Sequence, residues 1–185
     1  MAKIAMAQAR PPHMDRRFAN SGVTIEAAAP VARVSLRAST KEATKLTKPL
    51  GLKLPTTPLT TTTSKSRSAL WIGPDEWLII DQVPTSIQPL MKNLASEKCS
   101  HVDVSHRNTA IIASGKDVEN VLNAGCPRDL SLAAFPVGCC SRTIFGKIEI
   151  ILWRQDNETF HIEVWRSFSD YLWTYLLDAA KDVSQ

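Results

Sequence analysis

From Ser68 onward the apolar and polar positions recur at periods that name their elements. "ALWI" and "WLII" are apolar runs on either side of Gly73-Pro74-Asp75-Glu76, the mark of two strands joined by a hairpin. After Pro84, residues Ile87, Leu90, Met91 and Leu94 return at helical spacing. "HVDVSH" and "TAIIAS" read as strands. Ser114 and Asp117 then have capping-box spacing before a helix with Val118, Val121 and Leu122 on its apolar face, closed by Gly125 and Pro127. "SRTIF", "KIEIILW" and "TFHIEVW" are rich in β-branched and aromatic residues and are separated by Gly146 and by Gln155-Asp156-Asn157-Glu158. Phe160, Ile162 and Val164 alternate with His161 and Glu163, which predicts one buried and one solvated face. Ser167 and Asp170 repeat the capping-box spacing ahead of a stripe of Phe168, Tyr171, Leu172, Tyr175, Leu176 and Ala179. The predicted string from residue 69 is β-β-α-β-β-α-β-β-β-α. Hairpins mixed with crossover helices imply an α+β fold with a mostly antiparallel sheet.

The first third reads differently. Residues 1–29 are rich in Ala, Arg and Pro without sustained periodicity, and are expected to form a flexible arm. Val31, Val34 and Leu36 in "PVARVSLRA" suggest a short strand that opens a domain over residues 30–180, with 181–185 as a tail. Residues 38–68 are rich in Thr, Lys, Ser and Pro and read as a long loop around one apolar piece, "PLGLKLP". A structureless stretch of that length is out of place in a compact domain, so it is expected to wrap and to become ordered on a partner.

Composition narrows the class. The chain has 185 residues, 44% of them hydrophobic, enough for one domain or two small ones with a real core. No segment approaches the roughly 20 apolar residues of a membrane span. Arg10, Arg16 and Arg17 are followed by no apolar run of the kind a secretory signal needs. Four Cys without a C-x-x-C pair do not make a disulfide scaffold, and the expected compartment is the cytoplasm. The net charge of +4 hides an asymmetry: residues 1–67 hold twelve Lys and Arg against three acids. Those cations are scattered singly, with no block of five or six, so no nucleic-acid partner is expected.

Candidate chemistry is sparse. Cys99, His101, Asp103 and His106 are all residue types that bind zinc. On a strand, however, His101, Asp103 and Ser105 share one face while His106 points to the other, so four ligands do not converge and no metal site is assigned. Cys139 and Cys140 are adjacent, without the spacing of a redox pair, and Cys126 reads as a core thiol at a helix end. The patterns G-x-S-x-G, H-E-x-x-H, G-x-G-x-x-G and the P-loop are missing from the sequence. Trp71, Trp77, Trp153 and Trp165 sit at strand ends and read as packing residues. Trp173 and Leu177 lie roughly opposite the stripe on the last helix. A helix apolar on two faces is covered on both. The cover is either the chain's own arm or another protein, and Trp173 and Leu177 are taken as a candidate partner interface.

The blocks "ALWIGPDEWLII", "HVDVSHRNTAIIASGKDVENVLNAGCPRDLSLAAFPVG", "SRTIFGKIEIILWR" and "FHIEVWRSFSDYLWTYL", in this order between about residues 30 and 180, resemble the gamma subunit of heterotetrameric sarcosine oxidase. They also look like a trimmed copy of the folate-binding part of glycine-cleavage T-protein. The resemblance implies two small, intimately packed ferredoxin-like subdomains. It implies membership in a flavin-dependent complex that oxidises sarcosine to glycine, releasing the methyl group as formaldehyde or passing it to tetrahydrofolate, and reducing oxygen to peroxide. FAD, FMN and NAD are implied in the larger alpha and beta subunits and zinc in the small delta subunit, with no cofactor and no catalytic residue on this chain. A stand-alone folate-binding protein of aminomethyltransferase type is the alternative that the shared fold suggests.

Overall fold

A computed structural model describes residues 12–183, apart from residue 14. Its strands are β1 (Arg17–Ala19), β2 (Thr24–Ala27), β3 (Ala32–Arg37), β4 (Thr61–Ser64), β5 (Arg67–Gly73), β6 (Glu76–Asp81), β7 (Ser100–Asp103), β8 (Asn108–Ser114), β9 (Cys140–Phe145), β10 (Ile148–Asp156) and β11 (Thr159–Trp165). Its helices are α1 (Thr40–Ala43), α2 (Thr47–Leu50), α3 (Ile87–Leu94), α4 (Val118–Asn123) and α5 (Ser169–Val183). From β5 onward the order matches the β-β-α-β-β-α-β-β-β-α string read from periodicity.

The strands form two sheets, ordered β1-β2-β8-β11-β10-β9 and β4-β5-β6-β3-β7, and every strand pair among the described residues is antiparallel. Side-chain alternation sorts the residues into layers. In β10, Ile150 and Leu152 pack beneath α4 and α5, whereas Ile151 and Trp153 face the other sheet. In β6, Trp77 and Ile79 pack with α1, α2 and α3, whereas Leu78 and Ile80 face inward. The molecule is therefore helix, sheet, sheet, helix, with Leu70, Ile72, Leu78, Ile80, Val104, Cys140 and Ile151 between the sheets.

Two early segments depart from expectation. The arm expected over residues 1–29 is drawn into the six-stranded sheet from Arg17, because β2 pairs with β8 in the register Thr24–Ser114 to Ala27–Ile111. Ile25 is fully buried by this pairing. Residues 1–11 and 14 of that arm lie outside the described residues. The stretch at 38–68 is also not a bare loop. Leu46, Leu50, Leu52 and Leu54 are buried in the chain's own core, and the Trp77 indole donates to Pro55 O at 2.8 Å. Of these leucines, only Leu50 lies within a helix, at the end of the one-turn α2. Leu46 is its N-cap, and Leu52 and Leu54 follow in irregular chain, so no element is long enough for periodicity to show. The expected tail begins inside α5, which runs to Val183.

The capping-box spacings do not act as such. Asp117 is the N-cap of α4 without a side-chain bond, and α5 starts at Ser169, whose hydroxyl donates to Arg166 O.

Gly115 is where the arm meets the sheet. It has φ +125°, and a Cβ there would lie 2.3 Å from Gly22 O. Gly115→Ala is expected to lift the arm at a cost of about 1–3 kcal/mol. Thermal unfolding together with proteolysis of residues 12–27 checks this.

Candidate functional site

The chemically dense part of the molecule is the seam between the sheets. On β11, Phe160, Ile162 and Val164 face the helices, so His161 and Glu163 must face the second sheet. That face was expected to be solvated. It is buried instead, with Glu163 only 1% exposed, because the second sheet lies over it. The counter-charge comes from β3: Arg33 Nε donates to Glu163 Oε1 and Oε2, both at 2.8 Å. His161 Nε2 is 2.8 Å from Glu163 Oε1, and Asn108 Nδ2 donates to Oε2 at 3.4 Å. Arg33 is further tied to its own strand end through Val31 O and, by its backbone N–H, to Ser105 Oγ.

Burial on its own raises the Glu163 carboxyl, but the Arg33 charge and the His161 hydrogen bond outweigh it and hold the group below its ordinary value. A carboxylate kept ionised and enclosed by donors is poorly suited to general-base work, which needs a pKa near the working pH and access to the substrate proton. The cluster is an ionic clasp between sheets. Cavities flank it on both sides under the linker at Ala28, Ala29 and Val31. One of about 160 Å³ lies beside Arg33, Asn108 and His106, and one of about 380 Å³ lies beside His161, Trp153 and Gln82.

Trp173 and Leu177, the candidate partner residues, lie on α5 against the helix-side core. Trp173 is 6% exposed and Leu177 is half-buried. The described part of the arm covers Trp173: the His13 ring stacks on it at 5.2 Å and 13°. His13 Nε2 lies 3.2 Å from Asp170 Oδ1, and Asn20 Nδ2 donates to Ala180 O at 3.0 Å. The second apolar face of α5 is thus explained at Trp173 by a strap of the same chain. Burial pushes the His13 imidazole below its ordinary value, against the pull of Asp170. The unfolded chain therefore binds the extra proton first, so the strap holds fully above the ordinary histidine range and loosens as pH falls through the lowered value. His13→Ala is expected to cost about 1 kcal/mol at neutral pH, the size of a stacked aromatic pair. His13→Phe should keep the stack and remove the pH dependence. Urea unfolding at neutral and mildly acidic pH separates the two.

The residues weighed for metal or thiol chemistry do not converge into one site. Cys99 Sγ is 3.7 Å from His101 Nδ1, while Asp103 and His106 are exposed and Asp103 Oδ1 accepts from Ser105 N. Among the described residues, no group of three His, Cys, Asp or Glu is placed to hold a metal ion. Burial pushes the Cys140 thiol up to about 12, with Cys139 alongside, and its sulfur contacts Trp71 O and Thr60 O. Such a thiol packs rather than reacts. Trp165, read as a packing residue, is 44% exposed.

Two antiparallel sheets back to back, each covered by helices, place the chain in a fold class shared with a solved aminomethyltransferase. The solved glycine cleavage aminomethyltransferase T from Bartonella henselae has this fold, with a TM-score of 0.66, 10% identity, and coverage of 84% of this chain and 45% of that one. Within this class, the family model described as sarcosine oxidase, gamma subunit family, matches residues 37–182, and the chain belongs to that family. The sarcosine oxidase subunit gamma of Corynebacterium sp. strain P-1 is 30% identical over 116 residues, covering 62% of this chain and 57% of that protein. The subunit gamma of an Arthrobacter species is 28% identical over 117 residues, covering 63% and 58%. The aligned stretches thus span less than three fifths of these relatives' length. A chain of the heterotetrameric sarcosine oxidase from Corynebacterium sp. U-96, solved with pyrrole 2-carboxylate, superposes with a TM-score of 0.82 at 26% identity, over 91% of this chain and 89% of that one. Among the described residues, no helix is long and apolar enough to cross a membrane.

Proposed function

We propose that this chain is a structural, non-catalytic subunit of a heterotetrameric sarcosine oxidase. The observation that carries the reading is the near-complete superposition on a chain of such a complex, with coverage close to nine tenths in both directions. The seam is consistent with it, since its one buried carboxylate is consumed in holding the sheets together. In this reading, the larger alpha and beta subunits carry FAD, FMN and NAD, the small delta subunit carries zinc, and the complex works in the cytoplasm. It turns sarcosine into glycine, with the methyl group leaving as formaldehyde or onto tetrahydrofolate and oxygen reduced to hydrogen peroxide. The arm covering Trp173 then forms part of the surface offered to partners near α5.

Co-expression with the other three subunits tests the proposal. The expected result is a flavin-coloured assembly that retains this chain and makes peroxide on addition of sarcosine, while the isolated chain is colourless and inactive. Full assembly and turnover without the chain would overturn the reading. Micromolar tetrahydrofolate binding by the isolated chain, together with failure to join the assembly, would favour the aminomethyltransferase-like alternative.

A further inference from the structure

The inner face of the six-stranded sheet is longer than the sheet that covers it. On β9, β10 and β11 this face runs in cross-strand rows. Cys140, Trp153 and His161 make one, and Arg142, Ile151 and Glu163 make the next. In these rows Cys140, Ile151, His161 and Glu163 are all buried. Ile144 pairs with Glu149 one row further, and Trp165 follows beside them, one step past the Ile150–Val164 pair. There the cover stops: Ile144 is 49% and Trp165 44% exposed, and Glu149 is exposed too.

The bare row continues onto the segment entering α5. Phe168 stacks on Trp165 with centroids 6.2 Å apart, and the Tyr171 hydroxyl accepts from Lys147 N at the β9–β10 turn. Ile144, Trp165, Phe168 and Tyr171 make up half of the eight large apolar side chains exposed among the described residues. Large apolar side chains left in water at one end of a sheet mark an interaction surface, and Trp and Arg are the residue types that carry most interface energy.

The charges on this ledge specify what covers it. Arg142 is already paired with Glu76 at 2.8 Å. Arg107 lies 5.2 Å over the Trp165 ring and donates to Asn108 Oδ1. Arg142 and Arg107 are thus engaged, and exposed Lys147 and Arg166 border the ledge. The Glu149 carboxylate at its centre, between Ile144 and Trp165, has no ion pair among the described residues. A second copy of this chain set ledge to ledge about an axis through Glu149 would bring another Glu149 against the first, which is repulsive.

We propose that the Ile144–Glu149–Trp165 ledge docks another subunit of the oxidase complex, through a surface that lays an apolar side chain over Trp165 and Phe168 and sets a Lys or Arg on Glu149. The proposal rests on the subunit reading above. It is tested by measuring the affinity of the full chain for the assembled remaining subunits, with Glu149→Lys and Ile144→Asp as ledge variants and Val102→Asp, at another exposed apolar position on β7, as the control. Each ledge variant is expected to weaken binding about tenfold or more while the free chain melts as the wild type does. Val102→Asp should bind normally, and raising salt should weaken the wild type more than Glu149→Lys.

Unchanged affinity in both ledge variants, with the wild type bound, overturns the ledge and leaves the subunit reading standing. Self-association of the wild type that the ledge variants abolish overturns the choice of partner. No binding by the wild type removes the subunit reading itself, and the ledge proposal falls with it.

Discussion

Glu163→Ala is expected to destabilise the chain by about 3–5 kcal/mol, because it strands one buried charge with nothing to balance it. Arg33 is only 3% exposed, and both of its strong acceptors are oxygens of Glu163. His161 and Asn108 lose the same acceptor. The pair itself is worth much less than the cost of breaking it, since two desolvated ions recover by attraction only part of what they lose by leaving water. The double variant Arg33→Met with Glu163→Leu should therefore regain most of the loss, and urea unfolding of the single and double variants reads the difference. Acid gives a second check. Because the carboxyl is held below its ordinary value in the folded chain, its stabilising contribution is complete above the ordinary carboxylate range and disappears as pH falls through the lowered value. Glu163→Gln should flatten that acid limb. An acid limb as steep in Glu163→Gln as in the wild type would show that other carboxyls carry it.

Arg154→Met should cost about 3 kcal/mol, and the loss should be spatially confined. Arg154 is fully buried on β10, lies 4.6 Å above the Phe160 ring, and is ion-paired with Glu119 of α4. It donates to Leu130 O at 3.0 Å, Phe135 O at 2.8 Å and Asn157 O at 3.1 Å. One guanidinium thus holds the connection from α4 to β9 and the β10–β11 turn at once. Truncation leaves those carbonyls without a donor, whereas the strands on either side keep their ladders. Cleavage by a protease within residues 126–139 should rise before the rest of the fold opens. Arg154→Lys should rescue little, because an ammonium on a flexible stem does not reproduce a planar fork reaching several acceptors. Rescue by Lys would show that charge alone, paired with Glu119, is what matters.

Apart from the four-residue β7, the elements from β5 to α5 were legible because each is long enough to display its period, and most are bounded by Gly, Pro or an Asp-Asn turn. The seam was not. A strand with polar residues at every second position looks the same whether those residues meet water or a second sheet, and the partner that decides it for Glu163 is Arg33, 130 positions earlier. Trp165 fails the other way: apolar at a strand end, it reads as core, and only the shorter reach of the second sheet leaves it bare. The arm hid for a third reason. Three- and four-residue strands carry no period, and Ile25 becomes a core residue only because β8 presents an open edge to it. The two apolar faces of α5 were visible, but what covers Trp173 was a matter of which chain arrives there.

The strap from His13 to Asn20 also sets an order of events in synthesis. Its anchors, Trp173 and Ala180, are separated from it by 160 positions in the chain. At about 5–20 residues per second, the strap leaves the ribosome roughly 8–30 s before its docking helix exists. The edge of β8 is therefore synthesised before the helix that the strap covers, so the arm can pair with β8 before it can close on α5. Closure of the strap is a sign that translation has reached the far end, so a nascent chain stalled anywhere before α5 keeps this segment undocked and open to chaperones.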